Sequence, residues 1–402
     1  KYNEGPLQAC DHYHRYREDV ALMKKMGLKS YRFSVSWSRI LPDGTEKINQ
    51  KGIEFYQSLV RELKAAGIEP MVTLYHWDLP YALYLQGGWK NPQIPDWFAA
   101  YTKIVVEALS DQVQYWMTLN EPQCFVGIGH LQGRHAPFLD EPASLRPVTR
   151  HVLLAHAKAV QTIRQYAKLP PKVGYAPTGP VFSPCGDESE AAIAEAYRRT
   201  MEVEGCYSIS WWCDPVLLGR VPEPMAKALG ADVFTPQELE LLHQPLDYLG
   251  FNVYNACAAQ QPGSEYTANT WQGSPRTAME WPITPDCIYW AIRFLNQRYG
   301  RPILITENGM ANTDFVMLDG KVHDPQRIDY VHRHLLAARR ALQEGYPLIG
   351  YTYWSIMDNY EWAEGYSKRF GLIYVDYRTM ERIPKDSAAW YAHVIATNGS
   401  EL

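Results

Sequence analysis

"YHRYREDVALMKKM", Tyr13 to Met26, is the stretch on which the fold turns. Its apolar residues Tyr16, Val20 and Met23 recur at the spacing of one helical face, and Gly27 follows as a stop signal, so a helix is predicted here. No strand pattern precedes it. Seven strand patterns follow: "SYRFSV" (30–35), "PMVTLY" (70–75), "QYWMTL" (114–119), "KVGYA" (172–176), "DYLGFN" (247–252), "PILIT" (302–306) and "IGYTYW" (349–354). Between and after them lie helical segments at Gly52–Ala66, Pro95–Leu109, Leu145–Ala167, Glu188–Ile209, Pro285–Tyr299, Pro325–Leu342 and Ser387–Ile395. The alternation is the signature of repeated βα units and a parallel sheet. Seven strands plus one helix without a strand imply eight units closed into a (β/α)8 barrel. Its first strand would lie upstream of Lys1, with residues 1–402 forming a single domain that lacks it. A doubly wound open sheet is the alternative, and the barrel is favoured because the units run on with no break into two halves.

Composition narrows the function class. The 402 residues are 46% apolar and 21% charged, ordinary values for a globular chain with a large core. A net charge of -5 and the lack of any basic run offer nothing to nucleic acid or an anionic membrane. No apolar segment approaches the roughly 18 residues of a membrane span, and "KYNEGPLQAC" lacks the apolar centre of a signal peptide. Seven scattered cysteines without a C-x-x-C read as free thiols in a reducing compartment, so a soluble, cytoplasmic protein is expected. Aromatic residues reach 13%, with 13 Trp and 28 Tyr, enough to line a sugar site or to fill a core.

The ends of the strands carry the chemistry. "QYWMTLNEP" places Asn120 and Glu121 just past one strand, and "ILITENG" ends another on Glu307, before Asn308 and Gly309 read as a turn pair. Parallel barrel strands deliver their C-terminal residues to one face, so the two carboxylates are expected to converge. Other ends are polar or aromatic too: His76, Trp77 and Asp78, then Asn252 and Tyr254, then Trp354, Glu361 and Trp362. Hydrogen-bonding groups beside indole faces suit a sugar. The long connections 177–187, 260–281 and 355–371 follow strands, where a barrel builds its site. Paired carboxylates without a metal cluster or phosphate loop fit glycoside hydrolysis. "GIGHLQG" (127–133) misses the spacing of a dinucleotide loop, and His12 and His14 make only a weak H-x-H pattern at a helix start.

These stretches resemble the family 1 glycoside hydrolases, the β-glucosidase family. The resemblance runs through "CDHYHRYREDV", "YRFSVSWSRI", "TLYHWDLP", "TLNEP", "LITENG", "YWSIMDNYEWAEGY" and "RFGLIYVDY", covering practically the whole chain. It implies a (β/α)8 barrel and a retaining β-glycosidase with Glu121 as acid/base and Glu307 as nucleophile, needing no cofactor and no metal. It further implies that Arg32 and Tyr254 orient the nucleophile, in keeping with the rule that a cation beside a carboxylate favours its charged form. His76, Asn120, Glu361 and Trp362 match glycone-binding positions and Trp354 the stacking floor, with Trp77 and Asn252 in the same sugar-binding set. Trp281 resembles the aglycone-side tryptophan.

Two departures stand out. The family's "N-Y-Y" is Asn252, Val253, Tyr254 here, and the family's first strand with its glycone-binding glutamine is absent from the sequence. The expected substrates are β-glucosides or short β-linked oligosaccharides, with β-galactosides and β-fucosides as further candidates. The competing readings are a 6-phosphoglycosidase and a catalytically impaired sugar-binding barrel.

Overall fold

The computed structural model describes residues 4–259 and 273–402. The helix expected at Tyr13–Met26 spans His12–Lys25. It closes in a Schellman motif, with Gly27 at φ 75°, the Leu28 N–H on the Met23 carbonyl at 3.1 Å and the Gly27 N–H on that of Lys24 at 3.0 Å. Glycine takes this left-handed conformation without a Cβ clash, which is why the chain can turn there into its first strand.

The described strands are β1 (Ser30–Ser34), β2 (Glu69–Tyr75), β3 (Tyr115–Asn120), β4 (Lys172–Ala176), β5 (Val181–Ser183), β6 (Leu249–Asn252), β7 (Ala256–Ala258), β8 (Ile303–Asn308), β9 (Leu348–Tyr353), β10 (Ile373–Asp376) and β11 (Glu381–Pro384). The seven predicted runs are β1, β2, β3, β4, β6, β8 and β9, with boundaries moved by no more than about two residues. Parallel ladders join β1–β2–β3–β4 and β6–β8–β9. β4 and β6 lie side by side, tied at one end by Asp247 N–H to Val173 O (2.9 Å) and at the other by Asn252 N–H to Pro177 O (3.0 Å).

Helices Gln50–Ala65, Ile94–Leu109, Leu145–Tyr166, Cys287–Tyr299, Pro325–Gln343 and Asp386–Ala396 alternate with the strands. The main core, including Leu74, Trp116, Val160 and Ile305, packs strands against helices. A smaller cluster of Met71, Met117, Ala176, Tyr248 and Leu304 packs together apart from the main core. Gly174 makes room for it, since a Cβ there would sit 2.2 Å from the Tyr248 ring.

The barrel has a seam. Among the described strands β1 is laddered to β2 alone and β9 to β8 alone. Between them lies a cavity of about 430 Å³ lined by Tyr31, Arg32, Phe33, Thr352, Tyr353 and Trp354 with other residues. Residues on both edges are half-buried, and Ile349 is 52% exposed, whereas β3 and β8 are almost wholly buried.

Other features differ from the sequence reading. The helix expected over Glu188–Ile209 is two, Glu190–Glu202 and Ile209–Leu217, because Gly205 at φ 80° breaks the run. β5 and β7 form a small parallel pair above the barrel, and β10 and β11 an antiparallel hairpin. Asn308 and Gly309 are not a turn. β8 runs on through Asn308, and Gly309 is small because a Cβ there would meet the Trp354 carbonyl at 2.0 Å. Of the long connection expected over 260–281, residues 260–272 lie outside those described. His12 pairs with Asp19 (2.7 Å) and His14 with Asp11 (2.6 Å). The described cysteines form no disulfide, and no described helix is long and apolar enough to cross a membrane.

Candidate active site

Glu307 lies within β8 and Glu121 directly follows β3, both buried at the same end of the barrel. Arg32 reaches them from the middle of β1. Its Nη1 donates to Glu307 Oε1 at 2.6 Å, its Nη2 to Asn120 Oδ1 at 2.6 Å and its Nε to Thr73 Oγ1 at 3.2 Å. The Tyr254 hydroxyl donates to Glu307 Oε2 at 2.7 Å. Each oxygen of Glu307 therefore has its own donor, and the carboxyl plane is fixed.

Glu121 is held differently. Asn252 Nδ2 donates to Glu121 Oε1 at 2.8 Å and to Asn120 Oδ1 at 3.0 Å, while Asn252 Oδ1 accepts from Thr306 Oγ1 at 2.6 Å. Burial first, and then the charge of Glu307, push Glu121 up to about 7. A Cys124 thiol and the Asn252 amide hydrogen-bond to it and pull the other way. The chain at Glu121 takes φ 42°, ψ 66°, a left-handed conformation uncommon for a residue with a side chain.

The tautomer of His76 follows from the same network. Asn120 Oδ1 accepts from Arg32 and Asn252, so its other end is the amide nitrogen, 3.1 Å from His76 Nε2. Burial, assisted by the Arg32 charge, lowers His76 to about 3, leaving a neutral ring. Nε2 then accepts and Nδ1 carries the proton, a donor suited to a sugar hydroxyl.

Aromatic rings wall the space around these groups. Trp354 lies 5.9 Å from the His76 ring at an interplanar angle of 28°, and Trp362 is also 5.9 Å from it. Trp77 stacks on Trp362 at 4.8 Å, and its N–H is committed to the Asn120 carbonyl at 2.9 Å. Trp77 thus buttresses Trp362, as Asn252 buttresses Glu121. Trp281 packs 5.1 Å from the Tyr254 ring and 6.2 Å from Phe370. Half-buried Glu361 accepts from the Trp354 indole, and burial, followed by the charges of Glu307 and Glu121, raises it to about 8. Lys368 is held by the Ala278 carbonyl and Arg369 by Asp358 (2.6 Å), so neither is the partner of Glu361. Asp78 stands apart, bonded to Ser36 and the Trp37 backbone.

The structure brings every residue named from the sequence into this neighbourhood apart from Asp78. It adds Thr73, Thr306 and Cys124. The two threonines were legible in principle, as polar residues interrupting the apolar runs "PMVTLY" and "PILIT"; nothing in the sequence marks Cys124. An oriented carboxyl facing one that is protonated near neutral pH, beside a wall of rings and neutral donors, can cleave a glycosidic bond.

Known proteins agree with that chemistry. The profile described as glycosyl hydrolase family 1 matches residues 3–400. β-Glucosidase A of Thermotoga maritima is 42% identical over 400 residues, covering 98% of this chain and 88% of the relative. A 1,4-β-D-glucan glucohydrolase of Thermotoga neapolitana is 42% identical over 398 residues, covering 97% and 88%. Among solved structures, a Thermotoga maritima β-glucosidase in complex with deoxynojirimycin aligns with a TM-score of 0.88 at 41% identity, covering 97% of this chain and 88% of that one. That structure carries over the reading of the strands as a TIM barrel, and identity sustained across nearly the whole chain carries the lineage: the chain belongs to glycosyl hydrolase family 1.

Proposed function

We propose that this protein is a retaining β-glucosidase in which Glu307 is the nucleophile and Glu121 the acid/base. The observation that supports these roles is the division of donors: Arg32 and Tyr254 orient Glu307, while Glu121 is raised to about 7 and can hold a proton. In the first step Glu307 attacks the anomeric carbon and Glu121 gives its proton to the departing glycosidic oxygen, leaving a covalent glycosyl-enzyme. In the second, Glu121 takes a proton from water as that water displaces Glu307, restoring both groups. Two carboxyls and one water account for every bond made and broken.

His76, Asn120, Glu361 and Trp362 hold the glucosyl ring in this reading, Trp354 underlies it, and Trp281 faces the leaving group. The names of the relatives favour terminal β-glucosyl residues of simple glucosides or short β-glucans, with β-galactosides and β-fucosides as secondary substrates. A net charge of -5 suits a protein that works without nucleic acid. A reducing compartment, the cytoplasm, suits cysteines that form no disulfide.

The test is the stereochemistry of an aryl β-glucoside's hydrolysis. Retention needs the two carboxyls about 5 to 5.5 Å apart. Proton NMR should show the β-anomer of glucose first, and Glu307→Ala should abolish turnover. The α-anomer appearing first, or an active Glu307→Ala enzyme, would refute the assignment.

A further inference from the structure

Tyr254 reaches Glu307 from a short segment beyond β6, and that segment is clamped from behind. The Val253 N–H donates to the Glu307 carbonyl at 3.0 Å. Asn308 Nδ2 donates to the Val253 carbonyl at 2.7 Å, and Asn308 Oδ1 accepts from the Tyr351 hydroxyl at 2.8 Å. The next carbonyl, that of Tyr254 itself, accepts from the Tyr330 hydroxyl at 2.8 Å. Tyr330 belongs to the outer helix Pro325–Gln343 and is 1% exposed; its ring stacks on His334 with centroids 3.9 Å apart. Asn308 Nδ2 also lies 3.4 Å from the Tyr330 hydroxyl, linking the two clamps.

Two successive carbonyls held by two buried side chains fix both the height and the rotation of residue 254. The Tyr254 phenol must then meet Glu307 Oε2 in one orientation. We infer that Tyr330, with Asn308, is a positioning residue for the nucleophile, acting through the Tyr254 backbone without touching Glu307. The inference rests on the reading of Glu307 as nucleophile. It assigns to an outer helix a part in the chemistry inside the barrel, because a carboxylate that loses a well-aimed donor holds its proton more tightly and attacks from a less defined position.

Tyr330→Phe tests it, since the substitution removes one hydroxyl and leaves the ring packed on His334. For an aryl β-glucoside, kcat/KM should fall by roughly three- to tenfold, the effect of one lost hydrogen bond, and the acidic limb of its pH profile should move to higher pH. Tyr254→Phe should move the limb the same way. Adding Tyr330→Phe to Tyr254→Phe should change neither quantity further, because the hydroxyl that Tyr330 aims is already gone. A purely structural Tyr330 would lower the melting temperature while leaving the limb in place, and that result overturns the inference. So do effects that multiply in the double variant. If instead Tyr254→Phe is silent while Glu307→Ala is dead, the clamp has nothing to aim and the inference falls alone; an active Glu307→Ala removes the underlying reading itself.

Discussion

At Glu361, burial and the charges of Glu307, Glu121 and Glu364 act in the same direction, and a carboxyl raised to about 8 is mostly protonated at neutral pH. It can then donate one hydrogen bond to a glucosyl hydroxyl as well as accept others. This bears on the 6-phosphoglycosides. A single ionised Glu361 repelling the phosphate is too simple; the obstacle is three carboxyls in one pocket, together with Lys368 held at the Ala278 carbonyl and the apolar Phe370 beside it. Wild-type kcat/KM should favour an aryl β-glucoside over its 6-phosphate, by a margin that widens as pH rises through about 8 and Glu361 ionises. Glu361→Ser should shrink the margin and flatten its pH dependence, and a wild-type preference for the phosphate would reverse the assignment. Glu121 supplies a second pH signature. It is protonated below about 7, and the acid role proposed for it requires that proton, so kcat/KM should decline above that pH, and Glu121→Gln should lose this alkaline limb. The loss should be smallest for activated aryl leaving groups, which need little protonation. Such details lie beyond a sequence, which shows that Glu361 is present but not that two other carboxyls stand near it.

The loop from Ser355 to Gly371, between β9 and β10, brings Glu361 and Trp362 to the site, and a buried ion cluster anchors it. Asp358 accepts from Arg369 (2.6 Å), from Lys385 Nζ (2.8 Å) and from the Gly371 N–H (2.9 Å). Lys385 also meets Asp314 at 2.6 Å; Arg327 joins Asp314 at 2.6 Å and pairs with Asp324. Burial opposes the charge on Asp314, but Lys385 and Arg327 overcome it and lower its pKa. Removing Lys385 from so dry a cluster leaves two carboxylates each with a single cation, Asp314 with Arg327 and Asp358 with Arg369. Lys385→Met should therefore cost about 3 to 5 kcal/mol in chemical denaturation and raise KM through a loosened loop. The sign with pH is set by Asp314: its contribution is present above the unfolded carboxyl value of about 3.9 and is lost as pH falls through its lower folded value. None of this was legible, because Asp314, Arg327, Asp358 and Lys385 sit in four separate segments with ordinary surface-like surroundings in sequence. The strands were legible because each is a short run rich in apolar, β-branched and aromatic residues, interrupted only by isolated polar ones such as Arg32, Thr73 and Thr306. The three-residue β5 and β7 are too short to leave a pattern.

For the molecule as a whole, the parallel barrel is what made the site readable. Glu121 and Glu307 are far apart in the chain, yet strands running the same way must present their last residues together, so counting strands was enough to bring the two carboxyls to one face. What the count could not supply is the layer behind them. Tyr330 comes from an outer helix, and its helical face reads as core in any sequence pattern. Among the described residues the ladder is interrupted between β1 and β9. Among the described strands each of these is laddered on one side only, with aromatic side chains lining the cavity between them, and a strand edge of that kind can template another extended chain. Turbidity and light scattering followed against protein concentration report whether these edges pair between molecules.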